Sequence, residues 1–277
     1  MKRLNPITYI LFIFSILGLT ACDSGLGFSE QEEKIRYENS TFSRQDGACL
    51  GDPQVTEENQ RCVSIKLQYP DIQSAPEPEM RKQLNQKIKA LILSSDNEVQ
   101  PQSIEQMAYL FMQDYKKETL EHPANWNLEK VVEVILNTPQ IISFSINESS
   151  YTGGAHGAYS QAFLNIDLDI MQSLALSDIL LAGYEAELNV TGEKIFRQVK
   201  ELSRNANLEK AGYWFERGFA LNDNFLITEK GLLFYFNAYD IAPYALGATE
   251  ILIPYSEIQN LIDPNGLLAA LTPEERN

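Results

Sequence analysis

The chain has 277 residues, with 22 basic against 38 acidic side chains and a formal charge of −16 at pH 7. A surface of that sign repels nucleic acid and anionic lipid headgroups, which removes nucleic acid from the partners, and it speeds encounter with cations. A zinc site takes three or four His, Cys or carboxylate ligands; with only two histidines, and the three cysteines expected to be lipidated or bridged, neither a metal nor a cofactor is expected.

At the N-terminus, Lys2 and Arg3 precede an apolar run over 7–19. The run is shorter than the about 20 residues of a membrane-spanning helix and reads as a secretory signal peptide. It ends in LTAC at 19–22, which looks like a bacterial lipoprotein signal with Cys22 lipidated as the first mature residue. An ordinary signal peptide with a chance cysteine is the alternative. Asp23 resembles an inner-membrane retention signal, but that rule varies among bacteria, so inner versus outer membrane stays open. Residues 1–21 are thus read as signal and 22–40 as a polar, lipidated tether on the periplasmic side of the envelope. Loss of Lys2 and Arg3 with the signal leaves 20 basic against 38 acidic residues, a formal charge of −18.

Export makes a disulfide between the two remaining cysteines, Cys49 and Cys62, the expected state. The turn sequence LGDP at 50–53 lies between them. A strand is expected over 63–69. After Pro76 and Pro78, Met80, Leu84, Ile88, Leu91 and Ile92 recur at helical spacing. Ser103 and Gln106 suggest a capping box, with a helix behind it that carries Ile104, Met107, Ala108, Phe111 and Tyr115 on one face. Two β-branched runs, 131–136 and 141–146, flank a TPQ turn and predict an antiparallel pair.

Next comes YTGGAHG at 151–157, three glycines around one of the two histidines. Residues 160–168 alternate, with Ala162, Leu164, Ile166 and Leu168 on one side and Gln161, Phe163, Asn165 and Asp167 on the other. That pattern predicts a strand with one buried face. Ser177 is the expected cap of a short helix, and a longer helix is expected over 185–202. EKG at 229–231 marks a hairpin between 225–228 and 232–236. A strand over 248–254 and a last helix over 255–262 complete the pattern. Strands and helices mix without β-α-β alternation, which argues for an α+β fold with helices packed on largely antiparallel sheet. Two structurally linked halves are expected, 41–147 and 148–265, followed by a tail over 266–277.

The motifs YTGGAHG at 151–157, NID at 165–167, LALSDIL at 174–180, FNAYDIAPYALG at 236–247 and ILIPY at 251–255 together resemble an exported bacterial domain. It is the extracellular region of anti-sigma factors of the RsiV type, related to domains of uncharacterised function in lipoproteins and beside some peptidoglycan deacetylases. The similarity covers roughly residues 40–265. It implies an α+β sensor or binding domain, with lysozyme as the ligand in RsiV. The chain departs from that pattern by having a lipid anchor in place of a transmembrane helix and cytoplasmic sigma-binding region.

Chemistry is less explicit. H-E-x-x-H, G-x-S-x-G and a phosphate-binding glycine loop are absent from the sequence. His122 and His156 are the two histidines, and a triad built around His156 from distant positions stays open. Two roles stand for the 151–157 segment. Its glycines either only turn the chain, with His156 holding the turn, or they present Tyr151, Gly153, Gly154 and His156 to a ligand. Tyr239 and Tyr244, in a segment stiffened by Pro243, are the other candidate contacts. Tyr213, Trp214, Phe215 and Phe219 read mainly as packing. The resulting expectation is a non-enzymatic envelope lipoprotein, without catalytic residues, that binds a cationic protein such as a lysozyme-type muramidase. A peptidoglycan-binding module is the second reading and a hydrolase using His156 the third.

Overall fold

The computed structural model describes residues 34–95, 99–118 and 124–272. The signal segment, Cys22, most of the tether, His122 and the last five residues lie outside them. The described residues form one compact unit, and the position expected to divide the halves, 147/148, falls inside a strand.

Six strands form the larger sheet, in chain order across it: β1 Arg36–Ala48, β2 Arg61–Ser74, β3 Trp126–Asn137, β4 Ile141–Tyr151, β5 Ala158–Asp167 and β6 Gln172–Ser173. All neighbours are antiparallel except β2 and β3, which run parallel. A parallel pair needs a crossover, and the helices α1 Pro78–Leu93 and α2 Ile104–Glu118 supply it. Helix α1 starts on Pro78, whose missing N–H costs nothing in the first turn. Leu84, Ile88 and Ile92, spaced by four, are buried in a core shared with Val63, Ile65 and Leu67 of β2 and Phe144 of β4.

A second sheet contains β7 Phe225–Ile227, β8 Gly231–Phe236 and β9 Thr249–Pro254, all antiparallel. Between the sheets in sequence lie α3 Leu176–Ile179 and α4 Glu185–Val199. The second core gathers Phe196 of α4, Phe225, Phe234, Ile251 and Ile253, with Ile141 of β4. Strand β4 therefore separates the two cores. Ile142, Phe144 and Ile146 face the helices and Ile141 faces the second sheet, which is why it is buried without a break from Ile141 to Ile146. The architecture is α+β with mostly antiparallel sheet, as the pattern of elements predicts.

Several local expectations need correction. Strand β5 is buried on both faces only at its end, over 165–167, and Ala162, on the side expected to be buried, is exposed. Asn165, on the polar side of the alternation, is 3 % exposed. Its Nδ2 donates to the Phe225 carbonyl (2.8 Å) and its Oδ1 accepts from Ile227 N–H (2.9 Å), so one side-chain amide serves as a strand partner for β7. The cap at Ser103 is half of a box. Ser103 Oγ accepts from Gln106 N–H at 3.1 Å, but Gln106 Oε1 accepts from Gln102 N–H at 2.8 Å, one residue early. Ser177 lies inside α3. Asp178 serves the helix start by accepting from Ala175 N–H at 2.8 Å. Helix α4 stops at Val199 because Glu201 turns left-handed (φ 53°). The last helix is two single 3-10 turns, Tyr255–Glu257 and Gln259–Leu261, separated by Ile258 at φ −133°.

The Cys49–Cys62 disulfide is present and pins the end of β1 to the start of β2. Lys130 of β3 is 2 % exposed. Its ammonium donates to the Ser94 carbonyl (2.6 Å) at the end of α1 and pairs with Glu148 (2.7 Å) directly across on β4. A cation at a helix C-terminus meets the carbonyls that the last turn leaves free.

Candidate functional site

The turn between β4 and β5 occupies 152–157. Gly153 and Gly154 have φ of 95° and 96°, a region that suits glycine, and a Cβ on Gly157 would lie 2.9 Å from the Ser150 carbonyl oxygen. The glycines thus have a conformational reason to be there. Tyr151 braces the same turn by donating its hydroxyl to the Gly154 carbonyl at 3.0 Å. Space is open around Gly154, whereas Gly153 lies against Ala124.

His156 projects from this turn and is exposed. Its Nδ1 is 2.8 Å from the Gly157 carbonyl oxygen. A carbonyl only accepts, so Nδ1 carries the proton and Nε2 is the nitrogen left for a ligand. Among the described residues, no serine or carboxylate hydrogen-bonds this ring. Its flat partner is Tyr244, with ring centroids 4.1 Å apart and planes 17° from parallel. The Tyr244 hydroxyl also reaches the Gly157 carbonyl, at 3.4 Å. Tyr239 continues the cluster, 5.7 Å from Tyr244. The structure therefore brings His156, Tyr239 and Tyr244 together above the glycine turn, 80-odd residues apart in sequence, with Tyr151 supporting the turn from below.

The 237–247 segment reaches this position through amide bonds. Asn237 Oδ1 accepts from Gln161 N–H (2.7 Å) while its Nδ2 donates to the Gln161 carbonyl (3.1 Å) on the outer edge of β5. Asp240 closes the bend by accepting from Asn237 N–H at 2.7 Å. Tyr239 adopts φ 74°, an unusual value for a residue with a side chain, and is 59 % exposed. Strain of that kind persists where the surroundings hold it, and here it turns a large ring outward. Tyr244 is 40 % exposed. The backbone N–H of Trp214 donates to the carbonyl of Ile241 in this segment (2.9 Å), and the Trp214 side chain also stays exposed. Its neighbours behave as packing: Tyr213, Phe215 and Phe219 all meet the buried Phe196 ring. Burial raises the Tyr213 phenol and lowers the Lys200 ammonium that lies over its ring.

Exposed rings held apart from the core offer flat apolar faces with polar rims, suited to a ligand that has the same two characters. Among the described residues, no group of three or more His, Cys, Asp or Glu could hold a metal ion. Trp214 and Asn237 are part of this region and are not legible as such in the sequence. Asn237 does lie in the FNAYDIAPYALG run, but nothing in the run tells that its amide docks on a strand edge.

Two family models match the chain, "Deacetylase PdaC" over residues 56–159 and "Protein of unknown function (DUF3298)" over residues 177–256. The glycine turn falls in the first match, and Tyr239 and Tyr244 fall in the second, so the aromatic cluster joins the two. The chain is similar to the peptidoglycan-N-acetylmuramic acid deacetylase PdaC of Bacillus subtilis (strain 168), with 25 % identity over 174 residues, covering 60 % of this chain and 37 % of that protein. It thus spans little more than a third of the length of the curated relative it matches. Two crystal structures of DUF3298 family proteins share the fold. One, from Bacteroides fragilis NCTC 9343, has a TM-score of 0.65 at 22 % identity over 86 % of this chain and 97 % of that one. The other, from Pseudomonas aeruginosa PAO1, has a TM-score of 0.62 at 20 % identity over 88 % and 99 %.

These findings correct one expectation and coarsen another. The similarity to a deacetylase overturns the expectation of a non-enzymatic protein and points to an enzyme. The expected kinship with RsiV-type domains is cut back to a similarity to DUF3298 proteins, a family of unknown function.

Proposed function

We propose that the chain is a cell-wall-related envelope protein that engages the glycan strands of peptidoglycan, in connection with their N-deacetylation, through His156, Tyr239 and Tyr244. The observation that carries this reading is the exposed stack of His156 on Tyr244 with Tyr239 beside it. Pyranose rings are apolar on their faces and polar at their edges, which matches such rings and the free Nε2 of His156. Similarity to a peptidoglycan deacetylase supports the same substrate class. Lipidation at Cys22 would hold the protein at the membrane, within reach of the wall. The test is co-sedimentation of the mature chain with purified peptidoglycan, with acetate release followed in the same samples. Binding that falls about tenfold in Tyr244→Ala, at unchanged thermal stability, is expected. Equal sedimentation of the wild type and variant refutes the site.

The formal charge of −16 favours a second reading, capture of a cationic muramidase of the lysozyme type. Attraction of that kind weakens steeply with salt, whereas stacking on sugar does not. Lysozyme titrations at low and high ionic strength therefore separate the two.

A further inference from the structure

The outer edge of β5 holds an unclaimed pair of backbone groups beside the aromatic cluster. Hydrogen-bonding direction alternates along a strand, so residues 157, 159, 161, 163 and 165 turn their groups away from β4. Four of them have protein partners. The Gly157 carbonyl accepts from His156 Nδ1 and the Tyr244 hydroxyl. The Gln161 N–H and carbonyl are taken by Asn237, and Asn224 Nδ2 also donates to that carbonyl at 2.9 Å. Phe163 N–H donates to Asn224 Oδ1 at 3.0 Å, and the Asn165 carbonyl accepts from Leu174 N–H at 2.9 Å. Tyr159 is the residue of this run with neither its N–H nor its carbonyl taken by a protein group among the described residues.

Its location is specific. The 237–247 segment is tied to β5 at Gln161 through Asn237 and at Gly157 through Tyr244, and Tyr159 lies in the opening between the ties, with roughly 13 Å of strand from one tie to the other. The Tyr159 hydroxyl donates to Asn147 Oδ1 (3.0 Å) on β4, which draws its ring back over the sheet and leaves the edge uncovered.

We propose that Tyr159 N–H reads the acetamido group of an N-acetylated amino sugar, its acetyl carbonyl accepting from that N–H while the sugar lies on the His156–Tyr244 rings. The proposal rests on the glycan reading above and adds the group that is recognised. An acetamide supplies a neutral carbonyl acceptor and a small methyl that suits the neighbouring rings. The amine left by deacetylation can donate to the Tyr159 carbonyl but offers nothing to its N–H, which then stays unpaired in the opening. The site thus separates N-acetylated from deacetylated glycan.

The experiment is calorimetric titration of the mature chain with an N-acetylglucosamine tetramer and with the corresponding glucosamine tetramer. Salt is held near 0.15 M or above, to screen the attraction of the acidic surface for the amines. The wild type is expected to bind the acetylated tetramer about tenfold more tightly. Two variants separate the backbone from the ring. Tyr159→Ala removes the phenol and keeps the N–H, so it keeps the preference. Tyr159→Pro also removes the N–H, without costing a bond to β4 because that group faces outward, and it loses the preference. Far-ultraviolet circular dichroism and melting temperature check that both variants fold. Equal affinity of the wild type for the two tetramers, or a preference that survives Tyr159→Pro, overturns the assignment and leaves the glycan reading standing. Binding of neither tetramer removes both.

Discussion

Asn165 carries the junction between the sheets, and its replacement by leucine has a calculable cost. The substitution keeps the branched outline of the side chain, in a larger volume, but removes both amide bonds, to the Phe225 carbonyl at 2.8 Å and the Ile227 N–H at 2.9 Å. Both partners belong to β7, whose three residues are buried, so water does not replace the lost bonds. Each buried backbone group left unpaired costs about 1–3 kcal/mol, so Asn165→Leu should destabilise the protein by about 2–5 kcal/mol once leucine's better burial offsets part of the sum. For a domain of this size that is a fall of roughly 5–15 °C in melting temperature. Thermal and urea unfolding of the two proteins measure it. Gln45→Ala, on exposed β1, is the control and should stay within about 0.5 kcal/mol. A loss below about 1 kcal/mol would refute the view that this amide acts as a strand partner for β7.

Two further outcomes are expected. Reducing the Cys49–Cys62 disulfide, or replacing both cysteines with serine, opens a loop closed over a sequence separation of 13 and should cost about 3 kcal/mol, read as a shifted urea midpoint with the fold retained. Asp46 has its carboxyl held below the usual range by a hydrogen bond from Lys116, then by the Gly47 N–H and the Lys116 charge. A depressed carboxylate contributes stability above its unfolded pKa, and that contribution is lost as pH falls through the folded value. Carbon-detected titration should therefore give Asp46 a midpoint below 3.8, and Lys116→Met should move it upward; an unmoved midpoint contradicts the pairing.

The sequence discloses elements whose residues show one pattern and serve one neighbour. The α1 spacing of Leu84, Ile88 and Ile92, the β3–β4 hairpin around TPQ and the disulfide across LGDP are of this kind, because period, turn chemistry and cysteine count each act locally. Where a polar side chain does backbone work, pattern misleads. Asn165 reads as the solvent side of an alternating strand because nothing nearby tells that β7 arrives 60 residues later needing a donor and an acceptor. Lys130 sits between Leu128 and Val132 on the buried side of β3, and its charge makes the strand look less alternating than it is. The candidate site divides in the same way. YTGGAHG and FNAYDIAPYALG are visible as unusual runs, and the glycine φ angles explain the first. Their meeting depends on the Asn237 amide docking on Gln161, a contact between side chain and strand edge that has no sequence period. Tyr159 is harder still, since its role here belongs to a backbone group that every residue has.

The most direct measurement is a titration of the isotopically labelled mature chain with N-acetylglucosamine tetramer, followed by amide chemical shifts. The account predicts saturable shifts confined to 153–161, 237–247 and the Trp214 indole, which vanish in Tyr244→Ala. Shifts that fall instead on α1, α2 or the outer edge of β1, or no shifts at millimolar sugar, would contradict glycan recognition at the His156–Tyr244 stack.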